Sequence, residues 1–256
     1  FNKYVEANPE YERITHCLLA ELTEALKDYR HHTIHSIYFG GGTPSLAPPS
    51  TVAQLIELVG RTCHVPQDIE ITLEANPTSM ETQKLRQFRE AGVNRLSMGI
   101  QALDDQALRF LGRNHSAKEA LGALSQAQEL FSHAVTFDLI YGRPNQTMEQ
   151  WGSELRQALA LGSHHVSLYE LTLKKGTALY RAYERGDFEP MSSDRLADLY
   201  EHTIATCAEL GLVQYEVSNF ARWYNPLDRS GSSDSFDTRL ARSLPAQSKH
   251  NTAYWR

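Results

Sequence analysis

Residues 39–44 read Phe-Gly-Gly-Gly-Thr-Pro and directly follow an apolar run that ends in Ile37 and Tyr38. Glycine has no Cβ, so three glycines in a row allow positive φ angles and leave backbone amides open to a ligand. A triple glycine at the end of a strand therefore predicts a loop that can hold a carboxylate, a phosphate or an amino-acid head group. A mobile connection between a strand and a helix is the alternative that this stretch alone leaves open.

Short β-branched runs alternate with longer stretches of helical spacing on both sides of this loop. Such alternation predicts βα units around a parallel sheet. The strand candidates are His35–Phe39, Ile69–Glu74, Arg95–Ile100, Val135–Tyr141, Val166–Thr172 and Gln214–Ser218. The helix candidates are Asn8–Arg30, Pro49–Cys63, Ser79–Ala91, Ala117–Phe131, Gln150–Leu161 and Asp194–Leu210.

Polar residues concentrate where the strand candidates end. Ligands of parallel α/β folds bind at the carboxyl ends of the strands, because loops and helix N-termini gather there. We therefore predict one site built from several successive strands, and a complete or partial barrel fits this pattern better than an open sheet. The residues concerned are Gly40–Thr43, Glu74, Gln101, Asp138 and Asn219.

Four of the polar side chains are candidates for holding a ligand. Asp138 lies inside the apolar run Val135–Gly142, where a charge is costly unless it is paired or faces a polar cavity. The carboxylate of Glu74 and the amide of Gln101 can accept or donate hydrogen bonds, and the planar guanidinium of Arg113 can clamp a carboxylate. A surface glutamate, a structural amide and an arginine near a helix end are the respective alternatives.

The overall charge argues against a nucleic-acid partner. The 256 residues carry a formal charge of −6 with a pI near 6.0, so the chain has no basic footprint. No stretch approaches the length of a membrane span, and membrane association is not indicated. We expect small molecules or proteins as partners. The chain starts with Phe1 rather than Met, so we also expect that a segment upstream, including any targeting sequence, is missing.

The three cysteines are too few and too widely spaced for a disulfide framework or a local metal knuckle. They are Cys17, Cys63 and Cys207, and each is predicted to be a small apolar residue on a helix. This cysteine usage favours a reducing compartment.

The composition changes after Trp223. Residues Asp228–Lys249 are rich in Ser, Arg and Asp without sustained periodicity, which predicts a loop or a disordered insert. Beyond it, His250 could ligate haem iron, or it could be a solvated side chain in a tail.

Taken together, these motifs resemble the radical S-adenosylmethionine (SAM) proteins related to oxygen-independent coproporphyrinogen III oxidase. The resemblance runs in order through most of residues 1–221. Its later motifs, Leu-Gly-Arg-Asn-His, Gln-Tyr-Glu-Val-Ser-Asn-Phe-Ala and His-Asn-x-x-Tyr-Trp, resemble the haem chaperone (HemW-type) branch with its mitochondrial animal members. The matching segments are Tyr38–Pro44, Leu73–Pro77, Ser97–Gln101 with Leu103–Asp104, Leu111–His115, Asp138–Pro144, Ser167–Leu171 and Tyr215–Ala221.

The resemblance implies an α/β fold, a TIM-like barrel of six βα units that holds a 4Fe-4S cluster and SAM at its mouth. In the family, a glycine-rich loop contacts the methionine part of SAM through its backbone, and polar side chains hold its other polar groups and the ribose. The implied backbone contacts are Gly41, Gly42 and Thr43, and the implied side-chain contacts are Glu74, Gln101, Arg113, Asp138 and, more weakly, Thr172 near the adenine.

The chain departs from the family pattern in several places. The Cys-x-x-x-Cys-x-x-Cys loop that ligates the cluster is absent, so no metal ligand is assigned here. We expect that loop and the first barrel strand upstream of Phe1, and we expect these 256 residues alone not to assemble the cluster. We predict an incomplete barrel core at 1–221, and a low-complexity insert with the start of a truncated C-terminal region at 222–256. Arg143 stands where the family usually has leucine.

The resemblance implies haem as cargo, with His250 as its possible contact, and transfer of haem to a respiratory or other haem protein. It implies a mitochondrial location, with a cytoplasmic one as the alternative. Three other functions stay open: an oxygen-independent coproporphyrinogen III oxidase, an inactive truncated product, and an ordinary barrel enzyme without a redox cofactor. Whether the chain is an enzyme is therefore left undecided.

Overall fold

A seven-stranded sheet forms the centre of the protein, and helices cover one of its faces. The computed structural model describes residues 10–132, 134–222 and 247–250. The sheet order is β1-β2-β3-β4-β5-β7-β6. The strands are β1 (Ser36–Phe39), β2 (Glu70–Ala75), β3 (Arg95–Gln101), β4 (Val135–Tyr141), β5 (His165–Glu170), β6 (Leu212–Gln214) and β7 (Asn219–Arg222).

The first five strands are parallel neighbours in chain order, as the βα alternation predicts. The helices are α1 (Tyr11–Ala25), α2 (Pro49–Thr62), α3 (Ser79–Thr82), α4 (Leu85–Glu90), α5 (Asp105–Phe110), α6 (Ala117–Phe131), α7 (Met148–Leu159), α8 (Ala178–Glu184) and α9 (Ser193–Glu209). Within the described residues β1 and β6 are the two edges, so the sheet is a partial barrel that is not closed.

The sequence prediction of a sixth strand at Gln214–Ser218 is wrong. Residues 215–218 instead form the turn of an antiparallel hairpin between β6 and β7, and β7 pairs antiparallel with β5. The turn is closed by polar groups: the amide of Asn219 donates to the carbonyl of Glu216 at 3.2 Å, and the side chain of Gln214 donates to the carbonyl of Val217 at 2.9 Å. These local hydrogen bonds compete with an extended conformation.

Capping residues explain where α6 and α7 begin. Ser116 and Glu119 form a capping box at the start of α6, and Thr147 and Gln150 form another at α7. Each box satisfies backbone amides that the first helical turn leaves without partners. The Thr147 cap explains why α7 begins at Met148, two residues before the predicted start at Gln150. Helices α5 and α8 are not predicted from the apolar spacing, since each is only a few residues long.

Alternation along the strands separates an apolar outer face from a polar inner face. The core lies between the outer face and the helices, where Phe88 and Trp151 are fully buried. The indole N–H of Trp151 on α7 donates to the hydroxyl of Thr203 on α9 at 2.7 Å, so these helices are joined by a satisfied polar contact inside the core. Across the described residues, no helix has the length and apolar character that crossing a membrane requires.

Candidate functional site

The inner face of the sheet brings the predicted site residues to one edge. Glu74 on β2 pairs in register with Ser97 on β3, and Asp138 on β4 pairs with Ser167 on β5. Residues paired in register share a face, so these side chains point to the same interior. Glu74 stands next to the carboxyl end of β2, as the sequence predicts, whereas Asp138 lies in the middle of β4 rather than at its end. Ser97 and Ser167 each lie two residues after the start of their strands.

The glycine loop after β1 is tied to Glu74. The hydroxyl of Tyr38 donates to Oε1 of Glu74 at 2.8 Å, and the amide of Gly41 donates to Oε2 at 3.1 Å. A Cβ on Gly40 would lie 2.6 Å from the ring of Tyr38, so no larger residue fits there without moving that ring. Gly41 and Gly42 have φ values of +82° and +47°, which explains the preference for glycine at both positions.

Thr43 and the Glu-Ala-Asn-Pro motif meet beside this loop. The side-chain amide of Asn76 donates to the hydroxyl of Thr43 at 3.5 Å, and the backbone amide of Asn76 donates to Glu81 at 2.9 Å. The buried hydroxyl of Ser45 also hydrogen-bonds Glu81. The two polar residues of the motif therefore differ in role. Glu74 faces the interior, while Asn76 holds the loop after β2 against the loop after β1.

Gln101 ends β3 in a strained conformation. Its φ is +71°, its side chain is buried, and the register of β3 against β4 shifts between Met98 and Gln101. A Cβ on Gly99 would lie 3.0 Å from Nε2 of Gln101 and 3.6 Å from Oδ1 of Asn76. The amide thus folds back over Gly99 toward Asn76, and backbone strain of this kind concentrates at ligand sites.

Asp138 and Arg113 form the charged part of the edge. Burial raises the pKa of Asp138 to about 7, and repulsion from Glu74 adds to the rise, while a hydrogen bond from Ser167 and the charge of Arg113 oppose it. Burial also lowers the pKa of Arg113, and attraction to Asp138 opposes that change. Two carboxylates, an arginine and an amide are thus gathered around one interior. This set can bind a zwitterionic amino-acid group together with sugar hydroxyls.

Thr172 stands apart from this group. It is exposed beyond the end of β5, and its hydroxyl donates to the carbonyl of Glu170 at 3.4 Å. The structure therefore brings together the glycine loop, Thr43, Glu74, Gln101, Arg113 and Asp138. Thr172 follows β5 at the same end of the sheet, and its hydroxyl contacts the backbone of Glu170.

His250 lies against the barrel interior rather than in solvent. Its ring stacks on Tyr38 with the two centroids 4.1 Å apart, and its backbone amide donates to Glu70 at 3.2 Å. Ser248 and Lys249 donate to the same carboxylate, each at 3.0 Å. The end of the predicted insert, with His250 directly after it, is therefore packed on the core, while residues 228–246 lie outside the described residues.

Comparison with known proteins fits this geometry. The family model for the radical SAM superfamily matches residues 6–158, which is more than half of the chain. The chain belongs to the radical SAM superfamily.

Relatives and a solved structure agree with this assignment. The chain is 44% identical over 222 residues to the mitochondrial radical S-adenosyl methionine domain-containing protein 1 of Bos taurus, a match that covers 87% of the chain and 50% of that protein. It is 35% identical to the heme chaperone HemW of Haemophilus influenzae, covering 100% of the chain and 62% of the relative. The chain thus spans about half the length of the curated relatives it matches first.

The fold match is to the HemN coproporphyrinogen III oxidase of Escherichia coli, a radical SAM enzyme. The TM-score is 0.68 at 24% identity, and the match covers 87% of this chain and 51% of that one. At this identity the likeness concerns the fold alone, and it agrees with the predicted TIM-like radical SAM barrel.

The cysteines of this radical SAM chain do not form a cluster site. Cys17 on α1 is exposed, while Cys63 after α2 and Cys207 on α9 are buried. Among the described residues, no group of three or more histidine, cysteine or acidic side chains could hold a metal ion. The donor set at the carboxyl edge fits SAM, but the described residues do not fit the cluster.

Sequence reasoning missed several residues that shape the site. Tyr38, Ser97 and Ser167 face the interior, and their alternation with apolar neighbours along the strands is a signal that could have found them. Arg143, which the sequence analysis singles out, forms a buried ion pair with Glu154 on α7. The charge of Arg143 is therefore paired inside the protein, and its side chain contacts α7.

Proposed function

We propose that this chain is the SAM-binding part of a haem chaperone. The superfamily implies SAM and a 4Fe-4S cluster, and relatives of the chain are named as haem chaperones. The observation that carries the SAM part of the proposal is the gathering of two carboxylates, an arginine and a strained glutamine at one strand edge.

Each site residue receives a role that follows from its chemistry. Arg113 would clamp the carboxylate of the methionine part, because a guanidinium forms paired hydrogen bonds with a carboxylate. The amides of Gly41 and Gly42, with Thr43, would line the methionine backbone. Gln101 can both donate and accept.

The two carboxylates would divide the remaining polar groups of SAM. Each oxygen of Glu74 already accepts one hydrogen bond and keeps a lone pair for a ligand group. Asp138 has a pKa of about 7, so a positively charged or hydroxyl-bearing ligand would shift it toward the ionised form. Thr172, exposed at the same edge, is proposed to approach the adenine.

The cluster is proposed to be held by cysteines of the whole protein that are not among the described residues. When bound, a cluster and SAM supply one-electron chemistry. The residues of this chain would bind and orient SAM.

Haem is proposed as cargo, with His250 as its contact. A neutral imidazole is the form that ligates iron. Burial lowers the pKa of His250, although Glu70 and Glu74 oppose that change, so the ring is neutral at physiological pH. Relatives are named as mitochondrial, which supports a mitochondrial location and, with it, respiratory haem proteins as recipients.

Two binding measurements on the full-length protein test the proposal. With the cluster reconstituted, Glu74→Gln should weaken SAM binding in equilibrium dialysis by roughly tenfold or more. The matched control Glu90→Gln, at an exposed position on α4, should bind SAM like the unmodified protein. Equal binding by Glu74→Gln and the unmodified protein would remove Glu74 from the site.

Haem titration followed in the Soret region tests the cargo. His250→Ala should lose the spectrum of the ligated haem, and the control His31→Ala, at an exposed position, should keep it. Product analysis with coproporphyrinogen separates the oxidase alternative: formation of protoporphyrinogen IX would establish an enzyme. Failure to bind either SAM or haem would favour the inactive product.

A further inference from the structure

A chain of contacts joins the packed segment Ser248–His250 to the glycine loop. Ser248, Lys249 and His250 are held on the carboxylate of Glu70, and that carboxylate lies 3.6 Å from the guanidinium of Arg95. Both partners of this ion pair are buried, so the anchor of the segment is fixed inside the barrel.

The next contact passes from the segment to Tyr38. The rings of His250 and Tyr38 are stacked at 4.1 Å with only 20° between their planes. One edge of the Tyr38 ring also lies close to Gly40, where an added Cβ would be 2.6 Å away. The Tyr38 ring therefore contacts both His250 and the glycine loop.

The last contact passes from Tyr38 to the proposed SAM site. Its hydroxyl donates to Oε1 of Glu74 at 2.8 Å. Burial and the neighbouring Glu74 raise the pKa of Tyr38 above its ordinary value, so the hydroxyl keeps its proton and remains a donor at physiological pH. The other oxygen of Glu74 accepts from Gly41.

We propose that Tyr38 is a positioning residue through which the docked segment Ser248–His250 sets the orientation of Glu74 and of the glycine loop. The inference rests on the proposed function, because it names a residue that acts on SAM binding only through Glu74. It adds a second role for His250, as the support of the Tyr38 ring, which is separate from any contact with haem.

Three variants of the full-length protein separate these roles. Tyr38→Phe keeps the stacked ring but loses the donor to Glu74. His250→Ala removes the support of the ring, and His250→Phe restores a stacking ring without an imidazole nitrogen. Tyr29→Phe is the matched control, because Tyr29 also contacts a histidine, His32, but lies exposed away from the barrel interior.

The first readout needs no ligand. In protein labelled with ¹³C at glutamate carboxyl groups, the signal of Glu74, assigned with Glu74→Gln, should shift in Tyr38→Phe and in His250→Ala. It should return toward its original position in His250→Phe and stay unchanged in Tyr29→Phe. An unchanged signal in both Tyr38→Phe and His250→Ala would overturn the inference, whether or not SAM binds.

The second readout is SAM affinity with the cluster reconstituted. Tyr38→Phe should weaken binding roughly 3- to 10-fold, because the lost hydrogen bond to the Glu74 carboxylate acts on SAM only through the orientation of Glu74. His250→Ala should also weaken it, and His250→Phe should recover most of the loss even if haem ligation is abolished. Equal SAM affinity in all variants would refute the positioning role and leave the SAM site standing. Absence of SAM binding in the unmodified protein would refute the proposed function, while the carboxyl signal still decides the inference.

Discussion

The two ends of the barrel interior are both lined with charge, but only one of them is closed. At the amino end, Glu70 and Arg95 form a buried ion pair, and the segment Ser248–His250 donates three hydrogen bonds to the Glu70 carboxylate. At the carboxyl end, Glu74 and Asp138 are half-buried and face a common interior. The strand positions of Glu70 and Glu74 differ by only four residues.

The partners of the two ends explain the difference. His165 at the amino end is hydrogen-bonded to Thr136 and, at 2.6 Å, to Tyr215, and burial beside Arg95 lowers its pKa well below the ordinary value. It is therefore a neutral structural group. At the carboxyl end the pKa of Asp138 is raised to about 7, which indicates that the charge of this group is poorly compensated by the chain itself. The amino end stabilises the fold, and the carboxyl end keeps charge available for a ligand.

The largest effect is expected when the buried ion pair at the closed end is removed. Glu70→Ala leaves the buried guanidinium of Arg95 without its counter-ion and frees the segment Ser248–His250. We expect a loss of about 3–5 kcal/mol in the free energy of unfolding, measured by urea denaturation. The control Glu57→Ala removes a carboxylate from an exposed ion pair with Arg61 and should leave stability nearly unchanged. Similar losses in both variants would mean that the buried pair is no more structural than a surface pair.

Removing a charge at the open end should stabilise the fold, whereas removing Glu70 at the closed end should destabilise it. Asp138→Asn should weaken SAM binding by roughly 10- to 100-fold, because a charged hydrogen-bond acceptor is lost. The same variant should be more heat-stable than the unmodified protein, since the raised pKa means that the folded state resists ionisation.

The sign of this stability effect depends on pH. Below the pKa of 3.8 expected for an unfolded aspartate, both states hold the proton and the advantage of the variant is absent. It should grow as pH rises toward about 7, where the folded carboxyl ionises, and should stay level above that. Thermal unfolding between pH 4 and pH 8 measures the trend, with Asp187→Asn at an exposed position as control. An advantage that is constant with pH would contradict the raised pKa.

Periodicity predicts the parallel part of the fold because each signal is local. The strands from Ser36 to Glu170 follow from apolar alternation. Glu74 and Gln101 follow from their places at strand ends, whereas Asp138 lies within β4 and follows from its charge in an apolar run. The β6–β7 hairpin is missed because Gln214 and Asn219 use side-chain and turn hydrogen bonds that an apolar pattern does not encode. Those bonds become visible only once the chain is folded.

The site shows the same limit. Glu74 and Asp138 are recognisable because a carboxylate in an apolar run is unusual, but the roles of Tyr38 and Glu70 depend on residue 250, far away in sequence. No local pattern predicts that the end of a low-complexity stretch returns to the barrel. The predicted domain division at 221/222 stays a prediction, although residues 247–250 contact the core.

Gln101 offers a smaller test of the open end. Gln101→Gly removes a side chain from a residue with φ of +71°, a region that glycine adopts without strain. We expect unfolding free energy to rise by about 1 kcal/mol and SAM affinity to fall roughly 3- to 10-fold through loss of the amide. Urea denaturation and equilibrium dialysis measure the two effects. A loss of stability would show that packing of the buried amide outweighs the backbone strain.

The smallest effect is expected at Thr72, which lies between the two ends on β2. Its hydroxyl is buried and, among the described residues, has no hydrogen-bond partner. Thr72→Val removes this unsatisfied group while keeping a branched side chain, so stability should rise by about 1 kcal/mol. Thr136 is the matched control, because its hydroxyl on the same inner face bonds His165, and Thr136→Val should lower stability by about 1 kcal/mol. Urea denaturation should show a gain in unfolding free energy for Thr72→Val and a loss for Thr136→Val, which would place the boundary between the closed and open ends at Thr72. Equal losses in the two variants would show that the hydroxyl of Thr72 is as well hydrogen-bonded as that of Thr136.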